Sequence, residues 1–196
     1  MNNPLPEQRY TSVAIVLHWA IAVFILFNLS FGFFMEGYAQ PLRGQVVGMH
    51  VSAGMSVLGL ALLRILWRAT HQPPPLPIGM AAWEQRSAHL AHAILYFMMI
   101  AMPVIGWAIL SCHPLKPTSG LHVWGLFTVP PIIPLTAVPD PRQKELHDLF
   151  VEIHSVGGYL MVALMIAHIG GALKHQFHDR MPEFARMGIG RLRRDA

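Results

Sequence analysis

Charge is scarce in this chain. Lys, Arg, Asp and Glu together make up 12% of its 196 residues, against 54% hydrophobic residues. A soluble domain carries about twice that charge, so the composition argues against a water-exposed globular surface. Cysteine is nearly absent. Cys112 stands alone, which excludes an internal disulfide, a thiolate zinc site and a C-x-x-C-H attachment motif. No internal repeat and no low-complexity tail is present. The basic residues flank apolar stretches and form no groove-reading motif, so nucleic acid is not an expected partner.

What the chain does have is long apolar runs. Four are long enough, or nearly so, to cross a bilayer core about 30 Å thick. They run over Val13–Met35, Val46–Leu66, Ala88–Leu110 and Phe150–Leu173. The expected fold is an all-α membrane protein, a four-transmembrane-helix bundle formed as one domain over residues 1–196. Thr11 and Ser12 are candidate caps for the first span. Pro103 should bend the third. With four spans, ten basic residues fall on the side of the termini: Arg9, Arg64, Arg68, Arg86, Lys174, Arg180, Arg186, Arg191, Arg193 and Arg194. Arg43, Lys116, Arg142 and Lys144 fall on the other side. That asymmetry places both termini in the cytoplasm, against anionic lipid. Residues 111–148 hold seven prolines and the run LHVWGLFTVPPIIPL. They read as a structured lid on the outer membrane surface, since structureless loops of that length are uncommon.

Twelve histidines are also present, several inside the apolar runs, where an ionisable group by default marks function. His154 and His168 are 14 residues apart on the fourth run. Fourteen helical residues rise about 21 Å and end about 40° short of whole turns, so both rings leave nearly one face. His18 lies as deep in the first span as His168 does in the fourth. His50 in the second matches His154. Antiparallel packing pairs His18 with His168 and His50 with His154. Neutral imidazole is a good iron ligand, and each pair can clamp one non-covalent b-type haem. Small residues beside them, such as Ser52, Ala53, Gly54, Gly157, Gly158, Gly170 and Gly171, allow close approach. Further candidates for haem propionate or quinone contacts are Arg64, His89, His92 and Lys174. His89 and His92 also compete as axial ligands. His113, His122 and His147 lie on the outer side without an assigned role.

These segments resemble the prokaryotic cytochrome b561 family over nearly the whole chain. The resemblance is carried by LHWAIA around His18, GMHVSAGMSVLGLALLRILWR around His50, SAHLAHAILYFMMIAMPVIGW in the third span, and EIHSVGGYLMVALMIAHIGGALKHQF around His154 and His168. It implies a bacterial inner-membrane protein with two b haems, ligated by His18, His50, His154 and His168. It implies electron transfer linked to the quinone pool. One branch of the family oxidises superoxide to oxygen and reduces ubiquinone, which would make the chain a superoxide:ubiquinone oxidoreductase. The alternative is a non-catalytic cytochrome b anchor between quinone and a partner dehydrogenase or periplasmic cytochrome.

Overall fold

The computed structural model describes residues 9–77, 79–112 and 120–190. His113, Lys116, Arg191, Arg193 and Arg194 lie outside the described residues. Four long helices dominate: α1 (Ser12–Gly32), α2 (Leu42–Thr70), α3 (Ala82–Ser111) and α5 (Arg142–Leu173). All four are long and apolar enough to cross a membrane. Two short helices accompany them, α4 (Ile133–Thr136) and α6 (Glu183–Arg186), with a hairpin of β1 (Leu121–Val123) and β2 (Phe127–Val129). Both termini of the described chain lie at one end of the bundle, called here the inner end.

Helix ends follow local chemistry. The Thr11 hydroxyl accepts from the Ala14 N–H at 3.3 Å and caps α1. Glu84 reaches back to the Ala81 N–H at 3.2 Å at the start of α3. α2 and α3 run longer than their apolar cores, with polar residues such as Arg43, Gln45, Glu84 and Gln85 in their first turns. α3 continues through Pro103 without a break, as neighbouring helices allow in a membrane bundle. α5 ends in a π-helical turn over Lys174–His178.

Packing is uneven around the bundle. α1 packs on α2, α2 on α3 and α3 on α5, whereas the α1 and α5 backbones barely touch. The central core gathers Ile21, Ile25, Val57, Ala61, Leu95, Met98, Met99 and Met161. Large apolar side chains such as Val16, Leu66, Phe97, Tyr159 and Ile166 point outward, as expected of lipid-facing surfaces.

The outer segment does not simply lie across the bundle. Its hairpin pairs Leu121 with Val129 and Val123 with Phe127. Trp124 and Gly125 both have positive φ, 53° and 70°, and the Leu126 N–H closes on the Val123 carbonyl at 2.9 Å. This is a type I′ turn, in which a bulky residue at positive φ costs on the order of 1–3 kcal/mol. Docking offsets that strain. The Trp124 N–H donates to Ser52 Oγ at 3.0 Å, and its Nε1–H donates to Ser56 Oγ at 2.9 Å. Its ring meets Phe24 at 6.2 Å. Ser56 is about 21 Å along α2 from Leu42, so the turn reaches far down the helix. At the hairpin base, a Cβ on Gly120 would sit 2.6 Å from the Val129 carbonyl oxygen, so only glycine fits.

The inner end is tied by hydrogen bonds and ion pairs. Arg186 is 4% exposed and donates to the Pro75 carbonyl at 2.6 Å. Arg9 donates to the carbonyls of Ala185 and Gly190, and Trp19 to that of Met187. Lys174 joins Glu84 of α3 at 2.6 Å to Asp179 at 2.7 Å, and His175 and His178 also contact Asp179. The Lys174 ammonium, then His178 and His175, hold the Asp179 carboxyl below its usual 3.8. A carboxyl depressed in the fold stabilises it above the unfolded pKa and loses that contribution as the pH falls. The difference in Tm between the native chain and Asp179→Asn should therefore be larger at about pH 6 than at about pH 3. An equal difference at both would mean that the ion pairs contribute nothing.

Candidate haem site

Two pairs of histidine rings face each other between α5 and the α1–α2 hairpin. His18 of α1 and His168 of α5 have ring centroids 6.2 Å apart, with planes at 59°. His50 of α2 and His154 of α5 are 6.1 Å apart, with planes at 71°. All four rings are half-buried. A metal–imidazole bond is about 2.0–2.1 Å and a ring centroid lies about 1.1 Å behind its nitrogen, so two rings on opposite sides of one iron have centroids about 6.3 Å apart. Both pairs fit that spacing.

The outer pair has further features of a ligand site. The Nδ1 atoms of His50 and His154 are buried against the backbone of Asn28 and of Met102, the second-nitrogen contact expected of ligating histidines. Both rings line a largely apolar cavity of about 450 Å³, within the range of small-molecule and cofactor pockets. Glycines bring neighbouring helices against the rings. A Cβ on Gly32 would lie 3.0 Å from His50 Cε1, and one on Gly106 would lie 3.4 Å from His154 Cε1. Asn28 of α1 clips this region of α2. With its amide oriented to satisfy both groups, it donates to the His50 carbonyl at 3.1 Å and accepts from the Gly54 N–H at 3.0 Å.

The inner pair sits in a more polar setting. Arg64 donates to Tyr96 Oη and to His18 Nδ1, each at 3.0 Å. A guanidinium only donates, so in this arrangement Nδ1 accepts and the ring proton sits on Nε2. Binding iron through Nε2 would require that proton on Nδ1 and the guanidinium turned away from it. His92 of α3 brings a third ring to the group, 5.4 Å from that of His168.

The other sequence candidates lie apart from these pairs. His89 is exposed and bonds back to the Gln85 carbonyl of its own helix at 2.8 Å. The Lys174 ammonium is engaged by Glu84 and Asp179. His122 meets Thr128 across the hairpin, and His147 meets Asp148. Sequence reasoning passed over Asn28, Gly32, Gly106 and Tyr96. Asn28 carries a visible signal, an amide within an otherwise apolar span. The glycines signal only through contacts between distant segments.

An all-helical membrane bundle with imidazoles paired inside its spans defines a class, the membrane cytochromes. Comparison with known proteins narrows it. The family described as prokaryotic cytochrome b561 matches residues 9–190. Cytochrome b561 homolog 1 of Escherichia coli (strain K12) is 26% identical over 183 residues, covering 91% of this chain and 96% of the relative. Cytochrome b561 homolog 2 of the same organism is 28% identical, covering 92% and 91%. A protein named probable superoxide oxidase CybB, of Yersinia pestis, is 30% identical over 111 residues, covering 55% of this chain and 61% of the relative. The chain belongs to the prokaryotic cytochrome b561 family. It is a bacterial membrane electron-transfer protein, and the family implies b-type haem.

Valine at position 32 would push into the His50 ring, whereas Gly48 has open space around its Cβ direction. Gly32→Val should therefore lower the haem bound per purified chain, and Gly48→Val should leave it unchanged. Equal haem content in the two variants would show that the close approach at Gly32 does not matter.

Proposed function

We propose that this protein carries electrons across the membrane with two b haems, one ligated by His18 and His168, the other by His50 and His154. The inner end faces the cytoplasm, ubiquinone accepts the electrons and a small donor reaches the outer end. One observation carries this reading: two imidazole pairs with the ring spacing of a shared iron, joined through α5 by a rise of about 21 Å between His154 and His168.

When bound, each haem supplies a one-electron couple. The chain's own residues supply the rest. α5 fixes the distance between the two ring pairs. Gly32, Gly106 and Asn28 hold the outer rings and the adjoining turn of α2 in place. Ile25, Val57, Met98, Met99 and Met161 belong to the apolar core and line the outer cavity, which keeps the region between the pairs apolar. Arg64 places a positive charge beside His18. With Nε2 on iron the His18 Nδ1 would carry the ring proton, so the guanidinium would turn from it to another acceptor. Arg64 and His92 are also placed to contact the inner haem's propionates or a quinone.

The name of the Yersinia pestis relative makes superoxide the donor to test first. Superoxide loses one electron and leaves as oxygen, and two such electrons with two protons convert a quinone to a quinol. Positive charge helps an anion to approach. At the outer end Lys144 is tied to Asp148, so Arg43 and Arg142 are the cations left to provide it among the described residues, against Glu36, Asp140, Glu145 and Glu152 on the same side.

Single replacements of His18, His50, His154 and His168 by alanine should each remove about half of the bound haem or its low-spin bis-imidazole spectrum. A variant that retains two such haems removes its histidine from the ligand set. Rapid mixing of the purified protein with superoxide and a soluble quinone should speed superoxide loss and yield quinol. No acceleration over spontaneous dismutation would exclude superoxide as the donor and leave the haem assignment standing.

A further inference from the structure

A second cavity, of about 230 Å³, opens at the inner end between the start of α1 and the last turns of α2. Arg9, Arg64 and Arg68 all line it, and no Asp or Glu does. Among the described residues none of the three pairs with a carboxylate. Arg64 and Arg68 are four residues apart on one helix face, a spacing at which like charges repel. Both guanidinium carbons stand near the same ring, 5.8 and 5.9 Å from the Tyr96 centroid. The Arg9 donors reach backbone carbonyls, which leaves its charge uncompensated. One wall is the Trp67 indole, stacked on His71 at 3.7 Å and held by a bond from its Nε1–H to Thr11.

Three guanidiniums surround one small space. Among the described residues Arg68 is free of side-chain acceptors, and each of the others keeps a donor nitrogen unused. They favour an anion with several acceptor oxygens, and phosphate suits that chemistry. The depth agrees. Thr11 caps α1 and Arg68 lies two residues from the end of α2, the level of lipid head groups. Basic pockets between spans at this level bind acidic lipids. We propose that this cavity binds a phosphate group, carried either by an acidic phospholipid or as free phosphate. The proposal shares Arg64 with the reading above and rests otherwise on Arg9 and Arg68.

The test uses the haem-loaded protein in nanodiscs of phosphatidylcholine. Phosphatidylglycerol is added in one arm and inorganic phosphate in the other, with binding read by native mass spectrometry and calorimetry. Retention of phosphatidylglycerol over phosphatidylcholine identifies the lipid source, and saturable binding of inorganic phosphate identifies the free one. Arg68→Gln should weaken the bound species about tenfold, with Arg68→Lys intermediate because it keeps the charge and loses the fork. The two native-protein arms stand whatever the variants do to folding. Failure of the native protein to bind either probe overturns the proposal. So does unchanged binding in Arg68→Gln, or loss of haem in that variant with anion binding intact, which would give the cavity to a haem propionate.

Discussion

An imidazole inside a membrane needs a partner, because no water is there to satisfy it. Four half-buried histidines pose that demand four times here, and the bundle is arranged around it. α5 carries two of them on nearly one face, and it packs on α3 alone among the long helices. Its side toward α1 and α2 meets them through ring contacts rather than through close backbone packing. Glycine at position 32 lets α1 close on the His50 ring where a side chain would crowd it, and Gly106 stands at ordinary contact distance from the His154 ring. At the outer pair a close contact behind His50 thus meets an open cavity in front of both rings, the distribution that a flat macrocycle requires.

The inner end answers a different constraint. Its basic residues are numerous for reasons of orientation, yet the structure gives them unlike settings. Arg186 is buried and joined to the proline-rich connection between α2 and α3. Lys174 bridges two carboxylates, and Arg64 faces a histidine. Arg68 stands against the Tyr96 ring, and among the described residues it makes no ion pair with a carboxylate. A count of positive charge along the sequence weighs these residues equally, although their surroundings make them chemically distinct.

Much of the fold is legible in the sequence. Hydropathy locates the four spans, because lipid demands a continuous apolar face, and the depth of each histidine is a simple count along its helix. The rings so matched lie 6.2 and 6.1 Å apart. Helix ends are less legible. α2 begins at Leu42 and α5 at Arg142, outside their apolar cores, since amphipathic turns continue a helix after hydrophobicity has stopped marking it. The clip from Asn28 to α2 and the contact between His92 and His168 depend on how α1 and α3 are rotated, which spacing along a single helix does not determine. The hairpin is less legible still. Its Trp-Gly turn has the backbone of an Asn-Gly turn but not its usual residues, and its stability comes from Ser52 and Ser56, some 70 residues earlier.

That hairpin bears on the order in which the molecule is built. Every group that holds Trp124 belongs to α1 or α2, and the chain just after it is fastened to α3, by Trp107 to the Pro130 carbonyl and by Ser111 to the Ile132 N–H. All of these precede α5 in the chain. A nascent polypeptide leaves the ribosome from its N-terminus, so three helices and the hairpin can settle into one platform before the final span exists. His18 and His50 would then already be in place on a preformed half-shell. The last helix to be made closes it, bringing His154 and His168 together in a single docking step.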